Sequence, residues 1–136
     1  MPVLTPRSVE EATSLLVANP DAQILGGGTD FMVEVNFNHR KPTTVLSLGA
    51  VDALREWREN DSSVFIGAAV TWQDIEKGPI AGLLPALAEA ARTVGSPQIR
   101  AAGTIGGNLG TCSPAGDGLP VLAALDSSVH LSSPRG

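Results

Sequence analysis

The first 55 residues combine short apolar runs with one amphipathic segment. Apolar residues at helical spacing follow Ser8, and Glu11 stands three positions later, which is the pattern of a capping box at a helix start. Asn19-Pro20 predicts the end of that helix. Three short apolar runs predict strands at Val3-Leu4, 23–25 and 43–48.

The segment from Phe31 to Phe37 predicts a second helix. Its N-terminal cap is expected to be Thr29 or Asp30, although its β-branched residues leave a strand possible. The predicted order is therefore strand, helix, strand, helix, strand. We expect this first lobe to span residues 1–55.

Residues 56–136 are expected to form a second lobe. Small and β-branched residues at 64–70 predict a strand, and Thr71 with Asp74 predicts the cap of a short helix. Further elements are predicted as helices at 85–94 and 119–125 and a strand at 129–131, which Ser132-Ser133-Pro134 interrupts. We therefore expect an α+β fold that is truncated at its C-terminus.

Residues 95–118 show almost no periodicity, and they hold seven glycines and two prolines. Loops of this length inside a compact domain are usually functional or disordered. The stretch carries little charge and includes Ile99, Ile105 and Leu109. We therefore expect an ordered loop that packs against another part of the chain.

Charge and cysteine content exclude several function classes. A net charge of -5 and a pI near 4.8 disfavour binding to nucleic acid or to an anionic membrane surface. No apolar run has the length of a membrane span. The single cysteine excludes an internal disulfide, no zinc-ligand spacing occurs, and no signal-peptide pattern is present. Together these features predict a cytoplasmic protein.

Three consecutive glycines follow the apolar pair Ile24-Leu25, in the run Gly26-Gly27-Gly28-Thr29-Asp30. A strand end, a glycine loop and a helix start can form an anion site from unpaired amides and the helix dipole. The run is not a dinucleotide-binding G-x-G-x-x-G motif, because Phe31 stands at the position of the last glycine. It is not a Walker motif either, because no G-K-[ST] sequence is present. Taken alone, the run is more simply explained as a turn.

A second run, Thr104-Ile105-Gly106-Gly107-Asn108, favours the anion site. It offers a hydroxyl, unhindered amides and a side-chain amide within five residues, and Thr111, Ser113 and Asp117 follow. Amides and hydroxyls suit the oxygens of a diphosphate, and a carboxylate suits sugar hydroxyls. The two runs together therefore predict a nucleotide-like ligand.

Three motifs carry a family resemblance: Ile-Leu-Gly-Gly-Gly-Thr-Asp at 24–30, Ser-Pro-Gln-Ile-Arg at 96–100, and the run from Gly103 to Asp117. They resemble the FAD-binding (medium) subunit of the molybdenum hydroxylases, the flavoprotein of xanthine and carbon monoxide dehydrogenases. The resemblance covers essentially the whole chain. It implies the two-lobed, PCMH-type fold of vanillyl-alcohol-oxidase-like flavoproteins.

The resemblance also implies which residues contact non-covalently bound FAD. Both glycine loops would wrap the diphosphate, while the later polar residues would meet the ribityl and ribose hydroxyls. The residues that match family positions are Ile24, Leu25, Gly26, Gly27, Gly28, Thr29, Asp30, Thr104, Gly106, Gly107, Asn108, Thr111, Ser113 and Asp117. We expect Asp30 to cap the following helix rather than to touch the phosphate.

The activity implied by the resemblance is electron transfer. Electrons would pass from 2Fe-2S clusters through FAD to NAD⁺ or another acceptor. Iron–sulfur and molybdopterin cofactors are expected only in partner subunits, a small and a large one, which would form a dimer of heterotrimers with this chain. We expect no catalytic acid or base and no metal ligand here. Family members are about twice as long, so their later strands and C-terminal domain are missing.

Several alternatives remain open at the level of sequence. Arg100 could meet a phosphate or pair with a carboxylate. Cys112 is expected to be a small packing residue, and Trp57 and Trp72 are expected to be partly buried core residues. The chain could also be a nucleotide-binding module without redox activity, or a stand-alone flavin oxidase of the same fold.

Overall fold

The computed structural model of the protein describes all of residues 1–136. Its N-terminal part is a three-stranded parallel sheet in the order β1-β3-β2. The elements are β1 (Val3–Leu4), α1 (Val9–Ala18), β2 (Gln23–Leu25), α2 (Thr29–Asn36) and β3 (Val45–Ser47). Val45 faces Val3 on one side and Gln23 on the other, so the central strand is paired along both edges. The predicted order of strands and helices is confirmed.

The start of α1 follows its sequence pattern with one difference. The Ser8 hydroxyl accepts a hydrogen bond from the Glu11 amide at 3.1 Å, as an N-cap residue should. The Glu11 carboxylate accepts from the Arg7 amide at 2.8 Å instead of from the Ser8 amide. The Ser8 cap is therefore confirmed, whereas the hydrogen bond to the Glu11 carboxylate comes from the amide one residue before the predicted donor.

Helix α2 begins at Thr29, two residues before the predicted start. Its N-cap is Gly28, with a φ of 79°, and no side chain caps the first turn. The predicted caps, Thr29 and Asp30, are therefore wrong. The chain enters the helix through a left-handed conformation that glycine adopts without steric cost, so both polar residues already lie within the first turn.

Two 3-10 helices, Leu48–Ala50 and Asp52–Arg55, lead to a second sheet in which β4 (Trp57–Glu59) pairs antiparallel with β5 (Val64–Ile66). Strand β4 lay in a charged stretch and was not predicted. Strand β5 ends four residues earlier than the predicted strand at 64–70. The chain stays close to the preceding segment after β5, because the Gly67 and Ala69 amides donate to carbonyls of residues 56 and 54.

The C-terminal part packs its helices around one apolar core. Helix α3 (Trp72–Lys77) starts with the predicted capping box, in which Thr71 and Asp74 exchange hydrogen bonds. Helices α4 (Ile80–Leu83) and α5 (Pro85–Thr93) follow. The buried cluster consists of Val70, Trp72, Ile75, Ile80, Leu87, Ala91, Val94 and Ile105. Trp72 is fully buried and Trp57 packs partly buried against the cluster, which confirms the core role predicted for both.

The long stretch at 95–118 is mostly helical, so its prediction as a loop is wrong. It contains α6 (Pro97–Ala102) and α7 (Ile105–Thr111), and α8 (Gly118–Ala124) follows. Ser96 and Thr104 cap the two helices by accepting from the Ile99 and Gly107 amides. Each helix has no more than two turns, which is too short for hydrophobic periodicity to be visible. The capping hydroxyls were the available sequence signal.

The predicted strand at 129–131 is also wrong, since these residues are exposed and form no ladder. Only the His130 ring approaches the second sheet, edge-on to Phe65 with centroids 6.2 Å apart. Each sheet lies within one of the two predicted lobes, and the division at residue 55 stays a prediction. None of the helices combines the length and the apolar composition of a membrane-spanning segment.

Candidate functional site

The two glycine runs are in direct contact. A Cβ atom on Gly27 would lie 2.7 Å from the Ala102 carbonyl carbon and 2.9 Å from the Gly103 Cα atom. A Cβ atom on Gly26 would lie 3.2 Å from the Thr104 Oγ1 atom. The backbones therefore approach closely, and glycine at 27 is required by this approach rather than by an unusual φ angle.

The first run leaves its backbone donors free. The six consecutive N–H groups of residues 26–31 donate to no acceptor within the chain. The first-turn amides of α2 have no preceding helical turn whose carbonyls could accept from them, and no side chain accepts instead. The N-terminal end of a helix also carries partial positive charge. This segment, residues 26–31, is therefore suited to an anion.

The second run is different, because its amides are already used. The Ile105 and Gly106 amides donate to the carbonyls of Val70 and Ala68 at 3.0 and 2.9 Å, and the Gly107 amide donates to Thr104 Oγ1 at 3.0 Å. The amides of Gly106 and Gly107 are thus not the free phosphate donors that the sequence suggested. The hydrogen that remains on the Thr104 hydroxyl and the Asn108 side chain are this run's available donors.

Gly106 and Gly107 have a packing role in this arrangement. A Cβ atom on Gly106 would lie 2.6 Å from the Ala68 Cβ atom, and one on Gly107 would lie 2.9 Å from Thr104 Oγ1. The glycines let α7 start against the segment that follows β5 and let Thr104 cap it. They therefore fix the position of Asn108 one residue later.

A cleft on one side of the loop contact, here called the Asp117 cleft, collects the polar residues predicted from the sequence. Its volume is about 230 Å³. Thr29, Asp30, Asn108, Thr111, Ser113 and Asp117 line it together with Val94, Gly95, Ile99, Gly103, Ala115 and Gly116. Residues from α2, α7 and the segment before α8 are therefore brought together across 88 positions of sequence, from 29 to 117.

A second cleft, here called the Arg55 cleft, has a volume of about 300 Å³. Gly26, Gly27 and Thr104 line it with Leu48, Gly49, Arg55, Ala69, Thr71, Asp74, Ala101 and Ala102. The Arg55 guanidinium donates to the Gly49 carbonyl. Sequence reasoning missed Arg55, because it stands among charged residues typical of a solvated surface and belongs to none of the motifs. Only its placement beside the glycine loop distinguishes it.

The remaining predicted residues do not line either cleft. Ile24 is about half exposed on the edge strand β2. Leu25 is half-buried, and its Cδ1 atom lies 3.4 Å from the position of a Cβ atom on Gly28. These residues shape the segment from which the free amides project, rather than the walls of a cleft.

Arg100 pairs with a carboxylate, which decides between the two alternatives. Its Nε atom lies 3.1 Å from the Glu76 carboxylate, and the two side chains are 14% and 15% exposed. Its Nη1 atom donates to the carbonyls of residues 92, 94 and 95 at the C-terminal end of α5. Arg100 therefore ties α6 to α3 and α5, and it lines neither cleft.

Cys112 is exposed, so its predicted role as a packing residue is wrong. It ends α7 with a φ of 50°, and its amide donates to the Asn108 carbonyl. A non-glycine residue in this left-handed conformation costs free energy. The residue therefore serves as a helix terminus and not as part of the core.

Comparison with known proteins agrees with this architecture. The family described as "FAD binding domain in molybdopterin dehydrogenase" matches residues 1–136. The nicotinate dehydrogenase FAD-subunit of Eubacterium barkeri is 43% identical over 134 residues, which cover 96% of this chain and 45% of that protein. The carbon monoxide dehydrogenase medium chain of Hydrogenophaga pseudoflava is 35% identical, with coverage of 96% and 46%.

Solved structures show the same fold. Carbon monoxide dehydrogenase from Hydrogenophaga pseudoflava, in a form that lacks the Mo-pyranopterin moiety, superposes with a TM-score of 0.77 at 36% identity over 80% of this chain and 39% of that chain. Reconstituted CO dehydrogenase from Oligotropha carboxidovorans gives 0.82 at 29% identity over 87% and 42%. The chain spans about half the length of the curated relatives it matches.

Proposed function

Because the chain belongs to the family of FAD-binding domains in molybdopterin dehydrogenases, we propose that it holds FAD without a covalent bond where its two glycine loops meet. The observation that carries the proposal is the set of free amides at residues 26–31. These amides lie beside Asn108, between the Asp117 cleft and the Arg55 cleft. Free amides at a helix start supply local positive potential, so the chain's net negative charge does not oppose a diphosphate there.

The donor set of the site fits the parts of FAD. The amides of residues 26–31 and the side chains of Thr104 and Asn108 would hold the diphosphate. Hydroxyl-bearing Thr111 and Ser113 would meet the sugar and ribityl hydroxyls, with Asp117 as their acceptor. Ligand pockets for molecules of drug size have volumes of about 300–1,000 Å³, so each cleft has room for only part of the cofactor.

When bound, FAD supplies the capacity to accept and donate electrons, and the protein supplies its binding and orientation. In this proposal the chain's residues bind and orient, and none acts as a general acid or base. The relatives contain about as much sequence again beyond the half that this chain matches. In this proposal, the rest of the FAD site would belong to a segment that corresponds to that unmatched half.

We propose that the whole protein is the electron-transfer subunit of a molybdenum-containing hydroxylase or dehydrogenase. It would receive electrons from 2Fe-2S clusters in a small partner subunit and deliver them to NAD⁺ or another acceptor. A large partner subunit would hold molybdopterin, and the three would form a dimer of heterotrimers in the cytoplasm. The support is that relatives are named as an FAD-subunit and as a medium chain of dehydrogenases.

Titration of the purified protein with FAD tests the binding proposal. We expect the protein to stay yellow after free FAD is removed by gel filtration, and dithionite to bleach this absorption. A nucleotide-binding module without redox activity would retain no flavin. Asn108→Leu would remove a partner of a buried phosphate oxygen and should weaken FAD binding by about 5- to 150-fold, since such a loss costs about 1–3 kcal/mol. Asp117→Ala should have a smaller effect, because one hydrogen bond to a sugar contributes only about 1–2 kcal/mol.

A matched control for Asn108→Leu is Asn36→Leu at the exposed end of α2, which lines neither cleft. It should leave FAD affinity unchanged. Equal affinities of the Asn108→Leu and control variants would refute the assignment of the second loop. A wild-type protein that binds no FAD would refute the proposed function itself.

A further inference from the structure

The Arg55 cleft contains a cation that the family motifs do not include. Arg55 ends a 3-10 helix and lines the cleft with Gly26 and Gly27, whose amides are free. Its side chain is oriented by the hydrogen bond to the Gly49 carbonyl. A guanidinium that is oriented by one bond still has further N–H donors, because it carries five. The cleft therefore places a full positive charge beside the free amides.

Arg55 is not neutralised by a carboxylate of the chain. The ion pairs of the structure are Arg40 with Glu34 and Arg100 with Glu76. Asp74 is the acidic residue of the cleft, and its carboxylate accepts from the Thr71 amide within the capping box of α3. The charge of Arg55 is thus available to a ligand.

No other basic residue lines either cleft. Arg58 lies over the Phe65 ring at 4.1 Å, on the second sheet, and Arg40 lies over the Phe31 ring at 5.1 Å. In the Arg55 cleft the diphosphate of the proposed ligand would otherwise meet only the partial positive charges of the amides, beside the Asp74 carboxylate and in a chain with a net charge of -5. Arg55 is the group that can balance this charge.

We propose that Arg55 binds the diphosphate of the dinucleotide across the Arg55 cleft, opposite the amides of the first glycine loop. This inference rests on the proposed binding of FAD. A guanidinium matches phosphate oxygens with two parallel donors, which a lysine ammonium cannot reproduce. Arg55 is therefore a residue that both strengthens binding and selects ligands with a phosphate group at this position.

Equilibrium titration of Arg55→Gln with FAD at low and at high salt tests the proposal. We expect about tenfold weaker binding at low ionic strength, which is the effect of losing one exposed charge-assisted contact. The difference from wild type should shrink as salt rises, because added ions screen the contact in the wild-type protein. Arg55→Lys should recover part of the affinity, since lysine restores the positive charge but not the two parallel N–H donors of the guanidinium.

Arg58→Gln is the matched control, because it removes the same charge from an exposed arginine three residues later that lines neither cleft. It should bind FAD as the wild type does. Equal affinity of the Arg55→Gln and Arg58→Gln variants would overturn the proposal, and so would a tenfold loss that does not change with salt or recover in Arg55→Lys. Failure of the wild type to bind FAD would instead overturn the proposed function.

Discussion

Replacing Gly27 by alanine adds one methyl group at the point where the two glycine loops touch. The new Cβ atom would lie 2.7 Å from the Ala102 carbonyl carbon and 2.9 Å from the Gly103 Cα atom, and the Ala102 carbonyl oxygen is closer still. Non-bonded carbon atoms pack favourably at about 3.5–4.0 Å. The backbone of one loop therefore has to move by roughly 1 Å, since no side chain can rotate away.

Neither backbone segment is free to move by this amount. The Gly103 carbonyl accepts from the Trp72 amide at 3.0 Å, and Trp72 is fully buried. Helix α6, which ends at Ala102, is tied through Arg100 to Glu76. Overpacking in a well-packed site costs about 1–3 kcal/mol, and we expect about 3 kcal/mol here because both partners are backbone. That is a large part of the 5–15 kcal/mol typical of a domain.

Urea unfolding followed by far-ultraviolet circular dichroism measures this loss as a shift of the midpoint at constant slope. Gly82→Ala is the matched control, since its Cβ atom would meet no atom within 4 Å and lies in helix α4. It should raise the free energy of unfolding by about 0.5–1 kcal/mol, because alanine is the better helix former. A loss below about 1 kcal/mol for Gly27→Ala would show that the loops do not touch as described.

Two further substitutions test contacts outside the loop interface. Arg100→Met should lower the free energy of unfolding by about 2–3 kcal/mol, because it leaves the largely buried Glu76 carboxylate without its partner. An unchanged unfolding midpoint would contradict the role given to this pair. Cys112→Gly should raise the free energy of unfolding by about 1 kcal/mol, because glycine adopts the φ of 50° without strain. A lower stability of this variant would show that the thiol packs after all.

Local hydrogen bonds could be predicted from the sequence because their partners are neighbours along the chain. Ser8 and Thr71 each cap a helix through an amide three residues later, and the sequence contains both partners in order. The order of strands and helices in the N-terminal part was also predicted, from short apolar runs that alternate with helical segments. Polar residues of the Asp117 cleft were also predicted as ligand-binding groups, first from their hydroxyls, amides and carboxylate and then through the resemblance to the family.

Short elements escaped prediction because too few residues carry their pattern. Helices α6 and α7 have six and seven residues, and β4 lies in a charged segment. The Val129–Leu131 run has the composition of a strand but no neighbouring strand to pair with in this structure. A strand depends on a hydrogen-bonding partner, and local sequence does not specify one.

The sequence by itself determined the glycine-rich composition of both loops, the Ser8 and Thr71 caps and the family to which the motifs point. Tertiary structure decided which donors are free. The amides of the first loop lack acceptors, whereas those of Gly106 and Gly107 are bound to Ala68 and Thr104. It also placed Arg55 in a cleft beside Gly27. Such assignments depend on distances between segments far apart in the chain, and packing of the whole fold sets these distances.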